Sequence, residues 1–416
     1  MEMQKGNEQL PAIGERIDVA RGLWGGASFK GIKEARTNCT RLQGESFHLV
    51  APDSMDRLYY GTVDGAVVLL PLGTSIQPNR VALKPLSLQV PGEPQPVEFY
   101  EVNGIKLDYA GRVWVVNAAG LFVFDQYLSQ CLFFMPDNRP VQEKIHCYEE
   151  SVGRIQTDYN RRYVFWLLAG GIIRTIDTST CQPVGPDYQF NRDATHDLVE
   201  WRVSPDGQCL YALLENEDTL NCKLEVHSLP NSSIIPHFTL FLPSHNAQGD
   251  IEYSGFAVDF NKGLLVVLGI SPPNDRDDSA EDDEDYEEEP EDDLRDKELV
   301  VQTYQLEASR VAFLNVQRVN QLDKKFYPAQ INGCMFPELE GDNGSGAGTL
   351  ITSILGGKKA LRNSLFVCRW DPASRTWSKQ VTLQKHHQDQ QLGWELRGNL
   401  LFTSAADSTL SLISFG

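Results

Sequence analysis

The residues with the clearest chemical potential form one acidic run in the second half of the chain. Between Asp275 and Asp296 there are fifteen Asp and Glu residues and only two Arg residues, so the stretch carries a net charge of −13. Like charge at this density attracts Lys- and Arg-rich segments of other proteins and speeds their association at low salt. The candidate partner-binding residues are Asp282, Asp283, Glu284, Asp285, Glu287, Glu288 and Glu289.

The same run contains a candidate modification site. Ser279 is followed by Glu281 and Asp282, which resembles the site of an acidophilic kinase, and a phosphate there would deepen the negative charge. Low hydrophobicity and dense like charge predict that the insert at 271–298 is disordered when free. The sequence leaves open whether this acidic loop binds a partner or only keeps the protein soluble.

Single acidic residues recur in turns along the rest of the chain. Each of them comes shortly before an apolar run, at Asp53, Asp108, Asp158, Asp206 and Asp259. Carboxylates can bind metal ions, but an Asp in a turn commonly accepts hydrogen bonds from backbone N–H groups two residues further on. Their spacing distributes them over successive repeats, so we interpret them as turn caps.

These turns belong to a repeating unit that is complete in the stretch 103–136. It has four short β-branched or aromatic runs, at Ile105–Leu107, Val113–Val116, Leu121–Phe124 and Cys131–Met135, separated by Gly, Asn and Asp. This alternation of apolar runs and turn residues predicts four strands. An isolated four-stranded meander cannot bury a core, so it needs copies of itself to pack against.

The copies are present. The second strands are predicted to begin near Leu58, Val113, Tyr163, Leu210, Leu264, Thr349 and Leu400. Successive starts lie 47 to 55 residues apart, except for one step of 85 residues that contains the acidic run. An all-strand repeat of about 40–55 residues is typical of β-propellers. We therefore predict an all-β fold, a seven-bladed β-propeller of four-stranded antiparallel blades.

The two ends of the chain predict how the ring closes. The last unit ends with its third strand, Leu410–Phe415, and the N-terminal segment offers candidate strands at Ile17–Ala20 and Leu23–Phe29. An outer strand from the N-terminus would remove an open sheet edge. We expect residues 1–45 to supply that strand, residues 46–416 to form the propeller, and deletion up to about Gly31 to destabilise the protein.

Polar residues predicted on the inner strands support an alternative function. They are His48, Glu101, Glu200, Asn332 and Glu395. If they converged at the mouth of the central channel, they could bind a divalent cation, as in a metal-dependent lactonase or esterase. Their directions are not fixed by the sequence, and polar residues are expected beside a water-filled channel. We therefore favour a non-catalytic interaction scaffold and assign no catalytic, cofactor-binding or metal residue.

Composition limits the remaining possibilities. The chain has 416 residues and a net charge of −20, and the part outside the acidic run accounts for about −7. This acidity argues against nucleic-acid binding, which requires basic surface. No apolar stretch is long enough for a membrane span or a signal peptide, and the eight Cys residues include no CxxC pair. We expect an intracellular protein, cytoplasmic or nuclear, that is monomeric apart from its protein partner.

Parts of the sequence resemble known propeller families. Gly356-Gly357, Asp371-Pro372 and Trp377 resemble a kelch blade, whereas the segments 204–212 and 403–412 are similar to WD-repeat strand pairs. The unit at 103–136, with Trp114 and the Gly120-Leu121 pair, is similar to blades of sensor-type propellers. These resemblances imply the β-propeller superfold over nearly the whole chain, and they indicate no specific family or activity.

Overall fold

The computed structural model describes residues 35–41, 46, 48–52, 56–71, 81–83, 87–138, 154–158, 160–168, 171–189, 196–204, 206–216, 219, 221–229, 238–243, 245–246, 249–260, 262–271, 297–307, 310–319, 328–336, 348–356, 362–384, 391–397 and 400–415. These ranges contain 33 β-strands and no helix. Seven antiparallel sheets hold most of the strands, and we call them blades 1 to 7 in chain order. The predicted seven-bladed β-propeller is confirmed.

The first four blades follow one another along the chain, after an N-terminal strand β1 (Ala35–Arg41). Blade 1 contains β2 (His48–Val50), β3 (Arg57–Gly61), β4 (Val67–Pro71) and β5 (Val81–Leu83). A small hairpin, β6 (Ser87–Leu88) and β7 (Val97–Glu98), precedes blade 2, which contains β8 (Val102–Leu107), β9 (Val113–Asn117), β10 (Gly120–Phe124) and β11 (Cys131–Pro136). Blade 3 contains β12 (Ile155–Thr157), β13 (Tyr163–Leu168), β14 (Ile172–Asp177), β15 (Gln182–Pro183) and a fifth strand, β16 (Tyr188–Gln189). Blade 4 contains β17 (His196–Val203), β18 (Cys209–Asn216), β19 (Cys222–Ser228) and β20 (Phe238–Phe241).

The last three blades have longer strands. Another small hairpin, β21 (His245–Asn246) and β22 (Gly249–Asp250), leads to blade 5, which contains β23 (Glu252–Asp259), β24 (Leu264–Ser271), β25 (Glu298–Glu307) and β26 (Arg310–Val319). Blade 6 contains β27 (Pro328–Met335), β28 (Thr349–Gly356), β29 (Arg362–Asp371) and β30 (Thr376–Gln384). Blade 7 contains β31 (Gln391–Arg397), β32 (Leu400–Ala405) and β33 (Thr409–Phe415), and β1 completes it.

The predicted strand starts agree closely with the structure. Every second strand begins at the predicted residue or one residue before it. The turn caps are also confirmed where the structure describes them. The Asp108 Oδ1 atom accepts hydrogen bonds from the N–H groups of Ala110 and Arg112, and Asp158 Oδ1 accepts one from Tyr163. Asp206 and Asp259 cap their turns in the same way, whereas Asp53 lies outside the described residues.

The ring closes through an N-terminal strand, as predicted, but the strand lies later in the chain than the two candidates. β1 pairs antiparallel with β33, from Ala35 opposite Phe415 to Arg41 opposite Thr409. The candidates Ile17–Ala20 and Leu23–Phe29 lie outside the described residues. The two candidates have apolar sequences, whereas the sequence of β1 is mostly polar, which the outermost position in a sheet allows.

Packing between blades supplies the core. Seven clusters of buried apolar side chains each join two neighbouring blades, and we call these interfaces seams. Trp114 and Trp166 fill seam 2–3, and Trp370 and Trp377 fill seam 5–6. Each blade thus buries one face against each neighbour, which is why a single unit could not be stable alone.

The first strands of the blades surround the central axis, since each contacts the first strand of the next blade. In a four-stranded antiparallel blade, the connection between the second and third strands lies on the same side of the ring as the crossover to the next blade. We call this side the crossover face. The connection between β24 and β25 is on this face, and it contains the acidic run.

Candidate functional site

The base of the acidic loop is well defined. Ser271 at the end of β24 is paired with Glu298 at the start of β25. Arg318 on β26 reaches across this pair, since its Nη1 atom lies 3.4 Å from Ser271 Oγ and 3.3 Å from Glu298 Oε2. The two ends of the loop are therefore held side by side on the crossover face of blade 5. The predicted binding residues, from Asp282 to Glu289, and Ser279 lie outside the described residues.

Around the axis, five of the seven first strands contain a β-bulge, in blades 2, 4, 5, 6 and 7. In four of them the residue after the bulge is glycine, at Gly104, Gly255, Gly333 and Gly393. A Cβ atom on Gly104 would lie 2.6 Å from the side chain of Ile155, and one on Gly333 would lie 2.9 Å from the ring of Trp394. Glycine is thus required where the first strand of the next blade packs closely.

Glu200 is the centre of a polar hub near the axis. Its Oε2 atom accepts a hydrogen bond of 2.8 Å from the backbone N–H of Phe256, next to the bulge in β23. Its Oε1 atom is 2.6 Å from Nη2 of Arg202, which also donates to the Cys334 carbonyl at 2.8 Å. The hub therefore links blades 4, 5 and 6. Glu200 is engaged in structural contacts rather than directed at a ligand.

Two other inner-strand candidates, His48 and Asn332, have surroundings that differ from those of Glu200. His48 is half-buried, and burial together with the positive charges of Lys106 and Arg154 lowers its pKa to about 3. A positively charged neighbourhood is unfavourable for a divalent cation. Asn332 donates to the Asn363 amide oxygen at 2.7 Å within blade 6. Among the described residues, no group of three or more His, Cys, Asp and Glu side chains could hold a metal ion. The described geometry therefore offers no support for the alternative hydrolase.

A buried polar network crosses seam 3–4. The Tyr188 hydroxyl contacts Nδ1 of His227, and Nε2 of His227 lies 3.0 Å from Glu225 Oε2. Lys223 Nζ is 3.1 Å from the other carboxylate oxygen. Burial alone would raise the pKa of Glu225, but the hydrogen bonds from His227 and Lys223 outweigh it and hold that pKa below its usual value. Burial raises the pKa of Tyr188, and the Glu225 charge adds to the increase.

Sequence reasoning missed this network, although a signal was present. Lys223, Glu225 and His227 alternate with Leu224 and Val226 along β19. Because side chains alternate between the two faces of a strand, this pattern places three polar groups on one face. That the polar face is buried could not be read from the pattern, since the strand β16 that carries Tyr188 lies in another blade.

The cysteines have the character of buried thiols. None of the six whose side chains are described forms a disulfide. Burial raises the pKa of Cys131 to about 11 and the pKa values of Cys222 and Cys368 to about 12. A thiol with a raised pKa is a poor nucleophile at neutral pH, because the thiolate is the reactive form.

Blade 6 also contains a sequence feature of WD repeats. Trp370-Asp371, which closes β29, is a Trp-Asp dipeptide, the pair of residues after which WD repeats are named. The resemblance of this blade to a kelch blade, which includes Gly356-Gly357, stays a prediction. The dipeptide adds a third point of similarity to WD repeats, and no Gly-His pair accompanies it.

Comparisons with known proteins agree on the fold. No family model matches the chain, and no curated protein matches it. Three similar solved structures each cover 92% of this chain and are themselves covered completely. They are U3-55K (10% identity, TM-score 0.55), the β-propeller domain of Cps50 (Swd1) from Myceliophteria thermophila (12%, 0.54) and the WD40 repeats of RRP9 (9%, 0.55). At this identity the similarity establishes a shared β-propeller fold.

The structure also bears on membrane association. In the part of the chain that it describes, no helix is long and apolar enough to cross a membrane.

Proposed function

We propose that the protein is a non-catalytic scaffold for protein–protein interaction, and that its acidic loop attracts a partner with a basic segment. The observation that carries the proposal is the loop's position: a stretch of net charge −13 joins two paired strands whose ends Arg318 holds together on the crossover face. A tethered charge of this size on one rim accelerates association with a basic partner.

The proposed scaffold also has an expected location, set of partners and domain organisation. The scaffold acts in the cytoplasm or nucleus, needs no cofactor, binds neither nucleic acid nor membrane, and is monomeric apart from its partner. Residues 1–45 and 46–416 serve as closing segment and propeller, with 271–298 as the insert. Phosphorylation of Ser279 adds about 1.5 to 2 negative charges to the loop and strengthens binding.

The test exploits the pairing of Ser271 with Glu298. Replacing residues 272–297 by Asn-Gly would reclose the hairpin with a two-residue turn. A second variant replaces the seven candidate acidic residues by Asn or Gln. We expect both variants to melt as the wild type does, and both to lose most of their affinity for a labelled peptide in which Lys and Ser alternate. Binding to the wild type should weaken steeply as salt rises.

A peptide in which Glu and Ser alternate serves as the control and should not bind. If both variants fold and bind the Lys–Ser peptide as strongly as the wild type does, the acidic loop is not the binding site and the proposal is overturned. The same variants can then be used to isolate partners from cell extract, where loss of a basic protein identifies a physiological candidate.

A further inference from the structure

The outer surface of blade 5 carries exposed apolar side chains. Phe313 and Val316 on β26 are 58% and 45% exposed. The Phe313 ring meets Tyr304 edge-on, with 5.6 Å between the ring centroids, and Tyr304 belongs to the core of seam 4–5. Val311 and Phe238 pack against the same core from the outside. We call Phe238, Val311, Phe313 and Val316 the outer patch.

Among the described residues, the neighbouring outermost strands differ in length. β26 has ten residues, whereas β20 in blade 4 has only four. Phe313 is paired with Tyr304 and Val316 with Gln302, so both lie on the face of β26 that is turned toward blade 4. The short strand β20 does not cover them.

The main chain of β26 offers a second feature. β26 is the last strand of its sheet among the described residues, so its outer edge presents N–H and C=O groups to which a further strand could pair. The outer edge of β30 in blade 6, by contrast, already forms hydrogen bonds with a side chain of β26. There the Gln317 amide donates to the Trp377 carbonyl at 2.9 Å and accepts from the Trp377 N–H at 2.8 Å. In β26 an open edge and an apolar face therefore occur together.

We propose that an extended segment of a partner protein, in which apolar residues alternate with Lys or Arg, adds to the edge of β26 and covers the outer patch. Alternate side chains of an added strand point to the same face, so its apolar residues would reach Phe313 and Val316. The segment is expected to be basic, because its charge must complement the acidic charge that blade 5 carries. Blade 5 carries the loop of net charge −13, anchored at Glu298, which Arg318 joins to β26. This choice of a basic segment rests on the proposed function.

The experiment compares two labelled peptides of the length of β26, one with alternating Lys and Val and one with alternating Lys and Ser. Phe313→Ser with Val316→Ser removes the patch. A matched control, Tyr127→Ser with Leu132→Ser, changes two apolar residues of blade 2 that are 58% and 38% exposed. We expect the wild type and the control to bind Lys–Val at least about tenfold more tightly than Lys–Ser, and the patch variant to bind both alike.

Hydrogen exchange supplies a second readout that does not depend on a variant. Bound Lys–Val peptide should slow exchange of the β26 amides at 310–319, and Lys–Ser should not. Equal binding of the two peptides to the wild type, or protection elsewhere, would overturn the docking site while leaving the acidic loop intact. A third outcome is that Lys–Ser does not bind, while Lys–Val binds tightly and independently of salt. This outcome would overturn the proposed function and the basic character of the occupant, but it would leave the outer patch as a docking site.

Discussion

Blade 5 meets its two neighbours in different ways. Toward blade 6 the outermost strands are joined by side chains, because Gln317 pairs with the Trp377 main chain and Asn315 donates to the Arg375 carbonyl at 2.6 Å. Toward blade 4 the contact is strong near the axis, through Glu200, but the periphery leaves Phe313 exposed. The seam to blade 6 is therefore bridged at its periphery, whereas the seam to blade 4 leaves apolar side chains exposed there.

The difference shows which part of a propeller varies from blade to blade when the sequences of its repeats have diverged. Among the described residues the seven blades share the same four-stranded antiparallel order, and blade 3 adds a fifth strand to it, so strand pairing alone distinguishes few of them. Seams differ, since each is lined by side chains that the repeat does not dictate, such as the Tyr188–His227–Glu225 network of seam 3–4. A closed seam contributes stability, and an open one leaves surface for a partner. The following changes break particular seams, from the largest expected effect to the smallest.

Removal of the closing strand should have the largest effect. Deletion of residues 1–41 takes away β1 and exposes the outer edge of β33 along seven positions, while the other edge of β33 stays paired with β32. We expect the Tm to fall by about 10 °C or more, because the ring opens at blade 7. Deletion of residues 1–34 keeps β1 and should lower the Tm far less. Calorimetry on both truncated proteins checks this, and equal losses would show that the ring is not closed by β1 alone.

Loss of the hub in seam 4–5 should come next. Glu200→Ala removes the acceptor of the Phe256 N–H and the partner of Arg202, at a cost of about 2–3 kcal/mol in the free energy of unfolding. Glu200→Gln keeps an acceptor and should lose about half as much. Glu252→Ala, at an exposed position of β23, is the control. Urea denaturation distinguishes them, and similar midpoints for the Glu200 and Glu252 alanine variants would refute a structural role for Glu200.

Acid should weaken the protein through His48, which lies between blades 1 and 2. The folded state lowers its pKa from 6.5 to about 3, so His48 stays neutral while the unfolded chain takes up a proton. The stabilisation is therefore complete above pH 6.5 and is lost as the pH falls from there toward about 3. At about pH 5 the free energy of unfolding is lower by at most about 2 kcal/mol. Solvent screening makes the loss smaller, because His48 is only half-buried.

The variant His48→Gln isolates this contribution, since it cannot titrate. Urea denaturation of both proteins near pH 7.5 and pH 5 should show a smaller pH effect in the variant. Other ionisable groups change both proteins equally, so the difference between the two slopes reports His48. If the slopes agree, His48 is protonated in the folded state as readily as in the unfolded chain.

The repeat could be predicted from the sequence because its signals are local. Apolar runs marked every second strand, from β3 to β32, to within a residue, and Asp turns preceded five of the seven. The first strands were harder. β8 was predicted as Ile105–Leu107 but begins at Val102, because Asn103-Gly104 has the composition of a turn and is in fact a bulge within the strand. No feature of the neighbouring sequence distinguishes a turn from a bulge at these two residues.

The contacts that characterise the candidate surfaces are not local either. Arg318 lies close to Ser271 only because β24, β25 and β26 are neighbours in one sheet, and the Gln317–Trp377 pair joins two blades. The acidic run was recognised from composition, and its address between β24 and β25 followed from the repeat. The outer patch depends on which side chains of β26 stay exposed after the blades pack, which turn residues do not determine, and so it was not predicted.

The smallest effects compare the two peripheries of blade 5 directly. Gln317→Ala removes both hydrogen bonds to the Trp377 main chain and should cost about 1 kcal/mol in the free energy of unfolding. Phe313→Ser changes a mostly exposed ring and should alter that free energy by no more than about 0.5 kcal/mol. Urea denaturation of both variants under the same conditions resolves this difference. If Phe313→Ser proves the more damaging, the rim of seam 4–5 is closed in solution, and the distinction between the two seams fails.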